Sequence, residues 1–179
     1  MARSSQTETA VLGVLSVAPM TGYAVREAVR DVLGHFWSES FGQIYPALTR
    51  LETEGLVTRP GPGAEYSLTD AGLARLRHVL ASPVQPSTPR NGLLLRLFFG
   101  RHLGADACRG LVRDARAAAA GQLAGYEAIR AELATEPDGD ADHPYWLLTV
   151  SAGEHAARAT IAWADEALAA LDAIEEAAR

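Results

Sequence analysis

The feature that most constrains the fold is a change of hydrophobic spacing on either side of one turn segment. Up to residue 54 the apolar residues recur at helical spacing, whereas residues 56–59 and 65–68 read as two short strands. Pro60-Gly61-Pro62-Gly63 lies between them and is a strong turn signal. Helical spacing resumes after Thr69, whose hydroxyl can cap a new helix. The predicted order is three helices, a hairpin and a helix, which is the plan of a winged helix-turn-helix.

Three short helices are expected before the hairpin. The first covers about residues 9–18 and ends at Pro19, because proline cannot continue a helix. Thr21 can cap the second helix, and Gly55 follows the third at the position where a left-handed residue ends a helix. Their apolar faces are expected to form the core with the fourth helix, through Val11, Leu12, Leu15, Val25, Val29, Val32, Phe36, Ile44, Ala47, Leu48, Leu51, Leu73, Leu76 and Leu80.

The second half of the chain is expected to be a separate, all-α domain. Residues 83–91 contain three prolines and are predicted to be a linker between a domain at 1–82 and a domain at 92–179. Beyond the linker the sequence is rich in alanine, with helices predicted at 93–103, at 105–134 and from Tyr145 nearly to the end. The predicted fold class is mainly α, with a small β-hairpin wing in the first domain.

The last helix carries more apolar surface than one helical neighbour covers. Ile161, Ala164, Leu168 and Leu171 form one stripe, and a second stripe of Trp163, Ala167, Ala170 and Ile174 lies beside it. A helix from a second copy of the chain is the simplest cover for the excess. We therefore expect a homodimer and assign the first stripe to the dimer contact.

Composition excludes several classes of protein. A formal net charge of -6 and 48% apolar residues describe a folded acidic chain, and no apolar run approaches the roughly 20 residues of a membrane span. Cys108 is the one cysteine, which excludes an internal disulfide framework and favours a reducing cytoplasm. Asp138, Asp140 and Asp142 imitate a calcium loop but lack its glycine and its bidentate glutamate. We expect no metal, no cofactor, no membrane partner and no catalytic nucleophile.

The segment from Trp37 to Leu48 carries the strongest functional signal. Pro46 implies a helix that begins late, near Gly42, or is distorted there, so that Gln43 and Tyr45 lie close to its N-terminus. In a helix-turn-helix that end points at base edges, and its free N–H groups attract phosphate. Gln43 is then the candidate for a base contact, and Ser40, Tyr45 and Arg50 are candidates for phosphate contacts. The alternative is an ordinary three-helix core in which Tyr45 and Trp37 only pack.

The sequence resembles the PadR-like transcriptional regulators. The resemblance rests on Leu12-Gly13-Val14-Leu15, Gly22-Tyr23, the segment Gly42 to Leu48 (Gly-Gln-Ile-Tyr-Pro-Ala-Leu), Leu51-Glu52, Gly55-Leu56-Val57 and Tyr66-Ser67-Leu68-Thr69 with Gly72. Residues 95–100, Gly153 and Trp163 are similar to the helical C-terminal domain of the longer subgroup. The resemblance implies a homodimeric repressor that binds an inverted-repeat operator in double-stranded DNA and is released by a small, often aromatic, effector.

The resemblance also implies which residues lie at DNA. Tyr23, Ser40, Gln43, Tyr45 and Pro46 fall on positions expected at or near it, and Arg59 and Tyr66 belong to the wing. Wings in the family usually carry several basic residues before the tyrosine, whereas here only Arg59 is basic. Affinity is therefore expected to depend more on the recognition helix and on Arg3, Arg26 and Arg30.

The uncharged wing leaves a second function open. The fold could serve as a protein-interaction or ligand-sequestering module that has lost DNA binding. In the C-terminal domain Phe98, Trp146 and Trp163 are candidates for stacking a planar effector. The alternative for these aromatic side chains is that they fill the core and the dimer contact.

Overall fold

The protein is described by a computed structural model that covers residues 2–34, 36–37, 41–84, 90–135 and 141–177, with only the backbone described at 2–5, 41 and 177. The chain divides into two compact units, residues 1–86 and 87–179. The middle of the predicted linker, residues 85–89, lies outside the described residues. None of the described helices is long and apolar enough to cross a membrane.

The first unit has the predicted order of helices and strands. In chain order it comprises α1 (Ala2–Val17), α2 (Gly22–Ala28), a π-helical turn (Val29–Leu33), a 3-10 turn (Phe41–Gln43), α3 (Ile44–Thr53), β1 (Val57–Thr58), β2 (Ser67–Leu68) and α4 (Asp70–Leu80). The two strands are antiparallel, with Val57 opposite Leu68 and Thr58 opposite Ser67. They are shorter than predicted because the backbone of Tyr66 bonds to Met20, at 3.0 and 2.8 Å, instead of to β1.

Local signals set three of the helix ends as predicted, although α1 begins at Ala2 and not near residue 9. The hydroxyl of Thr21 accepts a hydrogen bond from the backbone N–H of Ala24 at 3.1 Å and caps α2. Thr69 caps α4 in the same way, through the N–H of Gly72 at 3.0 Å. Gly55 follows α3 with a φ of 70°, the left-handed conformation expected of it. These three predictions are confirmed.

The core of the first unit consists of the predicted apolar faces, apart from three residues that are exposed. Val11, Leu12, Val25, Ile44, Ala47, Leu48 and Leu51 are all at most 2% exposed. Val32 and Phe36, which were expected to face inward, are 55% and 58% exposed. The π-helical turn at Val29–Leu33 explains this, because its wider spacing shifts the side chains that follow out of the 3.6-residue phase. Leu80 is also exposed, at 67%, at the last residue of α4.

The second unit is a long helical hairpin preceded by a short helix. It comprises α5 (Gly92–Phe98), a 3-10 turn (Gly100–His102), α6 (Ala105–Leu133) and α7 (His143–Ala177). Helices of these lengths extend about 44 and 52 Å. They run antiparallel, since Arg109 near the start of α6 pairs with Asp172 and Arg130 near its end pairs with Glu154.

The two long helices are tightly packed at Gly153. A Cβ atom on this residue would lie 2.2 Å from Cζ of Tyr126, well inside van der Waals contact. Tyr126 is 9% exposed and packs with Leu133 and Val150. Only glycine leaves room for the aromatic ring at this crossing.

The stripe assigned to dimerisation requires a correction. Ala164 is 0% exposed in the single chain, and Val150, Glu154 and Ala157 on the same face of α7 are also buried. This face therefore packs against α6 of the same chain, and Ile161, Leu168 and Leu171, which share it, are half-buried. Both stripes are apolar, and their spacing does not reveal which one faces α6.

Candidate nucleic-acid interface

Helix α3 begins at Ile44, as Pro46 led us to expect. Proline is the third residue of the helix, within the first turn, where a backbone N–H has no partner inside the helix. Gln43 precedes the helix and its side chain makes no capping bond. Gln43, Tyr45 and Pro46 are all exposed, Tyr45 by 48%. The start of α3 is thus an exposed helix N-terminus of the kind that a recognition helix presents to DNA.

Helix α2 begins against this same end of α3. A Cβ atom on Gly22 would lie 3.1 Å from Cε1 of Tyr45, so the backbone at the start of α2 rests on the tyrosine ring. Tyr23 follows and is 62% exposed, with the guanidinium of Arg26 at 6.0 Å from its ring centroid. The structure therefore brings Tyr23 and Tyr45, two residues of the expected DNA-facing set, onto neighbouring helix ends. Ser40 lies outside the described residues.

Three arginines of the first unit, Arg30, Arg50 and Arg59, are held by carboxylates. Nε of Arg50 lies 3.0 Å from Oε1 of Glu8 in α1, and Nε of Arg59 lies 3.0 Å from Oε1 of Glu52 in α3. Arg30 pairs with Glu27 at 2.6 Å and with Asp31 at 2.7 Å. The hydrogen bond that Arg30 donates to Asp31 raises the pKa of the Arg30 guanidinium, and the one that Arg59 donates to Glu52 raises the pKa of Arg59. A phosphate that binds at Nε of Arg50 or Arg59 would have to displace the carboxylate there.

Tyr66 requires the second correction, because it does not lie at the surface. Its side chain is 5% exposed in the core of the first unit, and burial raises the pKa of its hydroxyl. The guanidinium of Arg59 lies 4.7 Å from the centroid of the ring. Tyr66 therefore supports Arg59 and does not itself present a surface for DNA.

The wing tip carries no cation. Residues 60–65 read Pro-Gly-Pro-Gly-Ala-Glu, and Glu65 is exposed. Arg59 at the base of the wing is bound to Glu52 and stacked on Tyr66, so the wing offers little positive charge to a phosphate. The sequence indicated the uncharged tip, but not the ion pair that neutralises Arg59.

The three aromatic residues proposed for effector binding do not form one site. Phe98 is 83% exposed at the end of α5, whereas Trp146 is half-buried beside the cluster that contains Tyr126. Trp146 and Trp163 lie on the same straight helix and are about 26 Å apart along its axis. The three residues were proposed as one effector site only because all of them are aromatic.

A cavity in the second unit has a lining that sequence reasoning missed. It is a half-open cavity of about 670 Å³ between α5, the first turns of α6 and the last turns of α7, and none of the three proposed aromatics lines it. Cys108, buried at 3% as expected of a small core residue, is part of its wall. The other walls include Leu97, Val112, Ala170 and Ile174, with exposed Arg101 and half-buried Glu175 among the lining residues. Small and aliphatic residues give no pattern that would have indicated a cavity.

Metal binding finds no support in the part of the chain that the structure describes. No group of three or more His, Cys, Asp or Glu side chains there could hold a metal ion. Asp138 and Asp140 of the acidic loop lie outside that part.

Comparisons with known proteins match both units. Residues 11–78 match the transcriptional regulator PadR-like family, and residues 89–172 match the family described as virulence activator alpha C-term. The negative transcriptional regulator PadR of Bacillus subtilis is 30% identical over 176 residues, which cover 91% of this chain and 96% of that protein.

Solved structures agree with these matches. Bacillus subtilis PadR in complex with operator DNA has a TM-score of 0.75 at 25% identity, and the complex with p-coumaric acid has a TM-score of 0.78 at 26% identity. Both comparisons cover 92% of this chain and 98% of PadR. The Vibrio cholerae virulence activator AphA has a TM-score of 0.77 at 28% identity, covering 94% of this chain and 99% of that one. The chain belongs to the PadR-like family of transcriptional regulators, in the subgroup with a helical C-terminal domain.

Proposed function

We propose that this protein is a homodimeric transcriptional repressor that binds an inverted-repeat operator and is released by a small ligand. The observation that carries the proposal is the exposed, uncapped start of α3, with Gln43 and Tyr45 on a PadR-like winged helix. The solved complex of Bacillus subtilis PadR with operator DNA supports it. In this role the protein would act in the cytoplasm and would have no enzymatic activity.

In this proposal the residues at and near the starts of α2 and α3 contact different parts of the DNA. The amide of Gln43 contacts a base edge, while Tyr23, Ser40, Tyr45 and the backbone near Pro46 contact phosphate and sugar. Arg50 is the phosphate ligand from the middle of α3, once a phosphate displaces Glu8.

The dimer is proposed to form through the second unit. Helix α5 has no buried residue in the single chain, although it contains Leu94, Leu95 and Phe98, which are 50%, 63% and 83% exposed. Ile174 of the second stripe on α7 is 59% exposed. Exposed apolar side chains in this number indicate a surface that another chain covers. A two-fold dimer would set its recognition helices about 34–36 Å apart, to meet successive major grooves.

The effector is proposed to bind the cavity beside Cys108. Its volume of about 670 Å³ lies within the usual range of small-molecule sites, and apolar side chains dominate its wall. Arg101 supplies a cation for a carboxylate. The solved complex of Bacillus subtilis PadR with p-coumaric acid makes this compound the first probe to try.

Fluorescence anisotropy tests the DNA-binding proposal. The duplexes are DNA from upstream of the protein's own gene and a scrambled control, each at several salt concentrations. We expect specific binding with a steep negative salt slope, and p-coumaric acid or a related acid should weaken it. Gln43→Ala should reduce the difference in binding free energy between the upstream duplex and the scrambled duplex by about 1–3 kcal/mol. Gln122→Ala, the same change at an exposed position of α6, is the matched control and should have no effect.

A second function is favoured by the neutral wing and the paired arginines. If the upstream DNA binds no better than the scrambled duplex, and selection from random sequences enriches nothing, the repressor proposal fails. The winged helix would then serve as a protein-interaction or ligand-sequestering module.

A further inference from the structure

The environment of Arg59 is unusual for the only basic residue of a wing. Its Nε donates to Oε1 of Glu52, which belongs to the recognition helix, and its guanidinium lies over the ring of Tyr66 on the other side of the hairpin. Both charged side chains are about one-third exposed, at 30% and 32%. Arg59 is therefore accessible to solvent but is held by two contacts, an ion pair with α3 and a stacking contact with Tyr66.

The recognition helix itself has a similar arrangement. Arg50 is the only basic residue between 41 and 56, and its Nε donates to Oε1 of Glu8 at 3.0 Å. Glu8 is more buried than its partner, with 22% of its side chain exposed against 41% for Arg50. Arg50 of the recognition helix and Arg59 of the wing are thus both paired with carboxylates of the same chain.

Carboxylates in these positions compete with phosphate for the same guanidinium groups. Non-specific binding consists almost entirely of phosphate contacts, whereas specific binding adds base contacts that do not depend on the arginines. An arginine held by a carboxylate makes no phosphate contact, so the affinity for non-specific DNA loses the whole contribution of that contact. In the specific complex, base contacts fix the register, and the arginine contributes only where a phosphate lies within its reach. The affinity for the operator therefore falls by that contribution at most.

We propose that Glu52, and with it Glu8, determines the DNA specificity of this protein by holding Arg59 and Arg50 away from phosphate. This inference rests on the proposed DNA-binding function. It assigns to two acidic side chains a role in suppressing binding to the wrong sequences.

The test is Glu52→Gln, measured on the operator duplex and on its scrambled control. The change keeps the shape of the side chain and removes the charge that neutralises Arg59. The released Arg59 should make one additional phosphate contact. This contact should steepen the slope of log K against log salt by about 0.9 and raise affinity for the scrambled duplex about fivefold to tenfold at 0.1 M salt. The operator should gain less, so the ratio of the two affinities should fall. Glu8→Gln should act in the same direction through Arg50.

Glu54→Gln is the matched control. Glu54 follows α3 two residues after Glu52, is exposed, and forms no ion pair with the described residues. It reports the effect of removing one negative charge at this end of the domain without releasing an arginine. The double variant Glu52→Gln/Arg59→Ala should lose the gain, because the released cation is then missing.

The outcomes separate the two ideas. If wild type binds its operator specifically but Glu52→Gln has the salt slope of Glu54→Gln, the inference is overturned and the proposed function stands. If neither wild type nor Glu52→Gln binds any duplex more tightly at low salt than at high salt, the proposed function and the inference both fail. Circular dichroism melts of all variants show whether each one is folded.

Discussion

Replacing Gly153 with alanine should destabilise the second unit by forcing α6 and α7 apart. The added Cβ would lie 2.2, 2.4 and 2.6 Å from three ring carbons of Tyr126. Carbon atoms settle at about 3.5–4.0 Å, so the ring or the helix must move by more than roughly 1 Å. Tyr126 is 9% exposed within the cluster of Leu133 and Val150, and moving it opens gaps around those side chains.

The expected cost follows from two opposing effects. Overpacking of a core costs up to about 3 kcal/mol, and replacing a glycine inside a helix by alanine returns about 0.5–1 kcal/mol. The net loss is then about 2 kcal/mol in the free energy of unfolding. For a unit of under about 100 residues this lowers the melting temperature by about 10 °C. The assay is thermal unfolding followed by circular dichroism at fixed protein concentration.

Gly121→Ala is the matched control for this change. Gly121 also lies inside a long helix, α6, but no atom lies within 4 Å of the position that its Cβ would take. It should melt at or above the wild-type temperature. Equal melting temperatures for the two variants would show that the crossing at Gly153 is not tight, and the packing argument would be refuted.

Three further predictions concern the start of α4 and the carboxylate between α6 and α7. Gly72→Ala should destabilise the first unit by at least about 1–3 kcal/mol, because its Cβ would lie 2.0 Å from the carbonyl oxygen of Leu56; urea unfolding measures this, and an unchanged midpoint would contradict it. Thr69→Ala should cost about 1 kcal/mol in the same assay, since it removes the cap of α4, and Thr69→Ser should keep most of the stability. Glu154 accepts a hydrogen bond from Arg130 that lowers its pKa below the ordinary 4.5, so its contribution to stability is complete above that pH and is lost as the pH falls below it. Urea midpoints between pH 7 and pH 3 should therefore fall more steeply for wild type than for Glu154→Gln, and equal pH dependence would argue against the pair.

Features decided by a few neighbouring residues were predictable from the sequence. Pro46 located the start of α3, and Thr21, Gly55 and Thr69 marked helix ends through a hydroxyl cap or a positive φ. Each of these signals acts within about one helical turn, so no tertiary information is needed to read it.

Features decided by distant residues were not predictable. Glu8 and Arg50 are separated by 42 positions, and nothing near Arg50 indicates that α1 supplies its carboxylate. The stripe containing Ala164 and the stripe containing Ile174 are equally apolar in sequence, and only the packing of α6 decides which one remains exposed. The directions of the side chains after Val29 depend on a π-helical turn, which cannot be predicted from the spacing of the apolar residues.

The ion pairs in both units have one chemical consequence for regulation. The ion pairs described above have arginine as their cation, and this sequence contains no lysine. A guanidinium is not deprotonated in proteins, and acetylation, which neutralises lysine, has no target among these side chains. Alkaline conditions and lysine acetylation therefore leave these pairs intact, whereas acid, which protonates the carboxylates, and high salt, which screens both charges, weaken them.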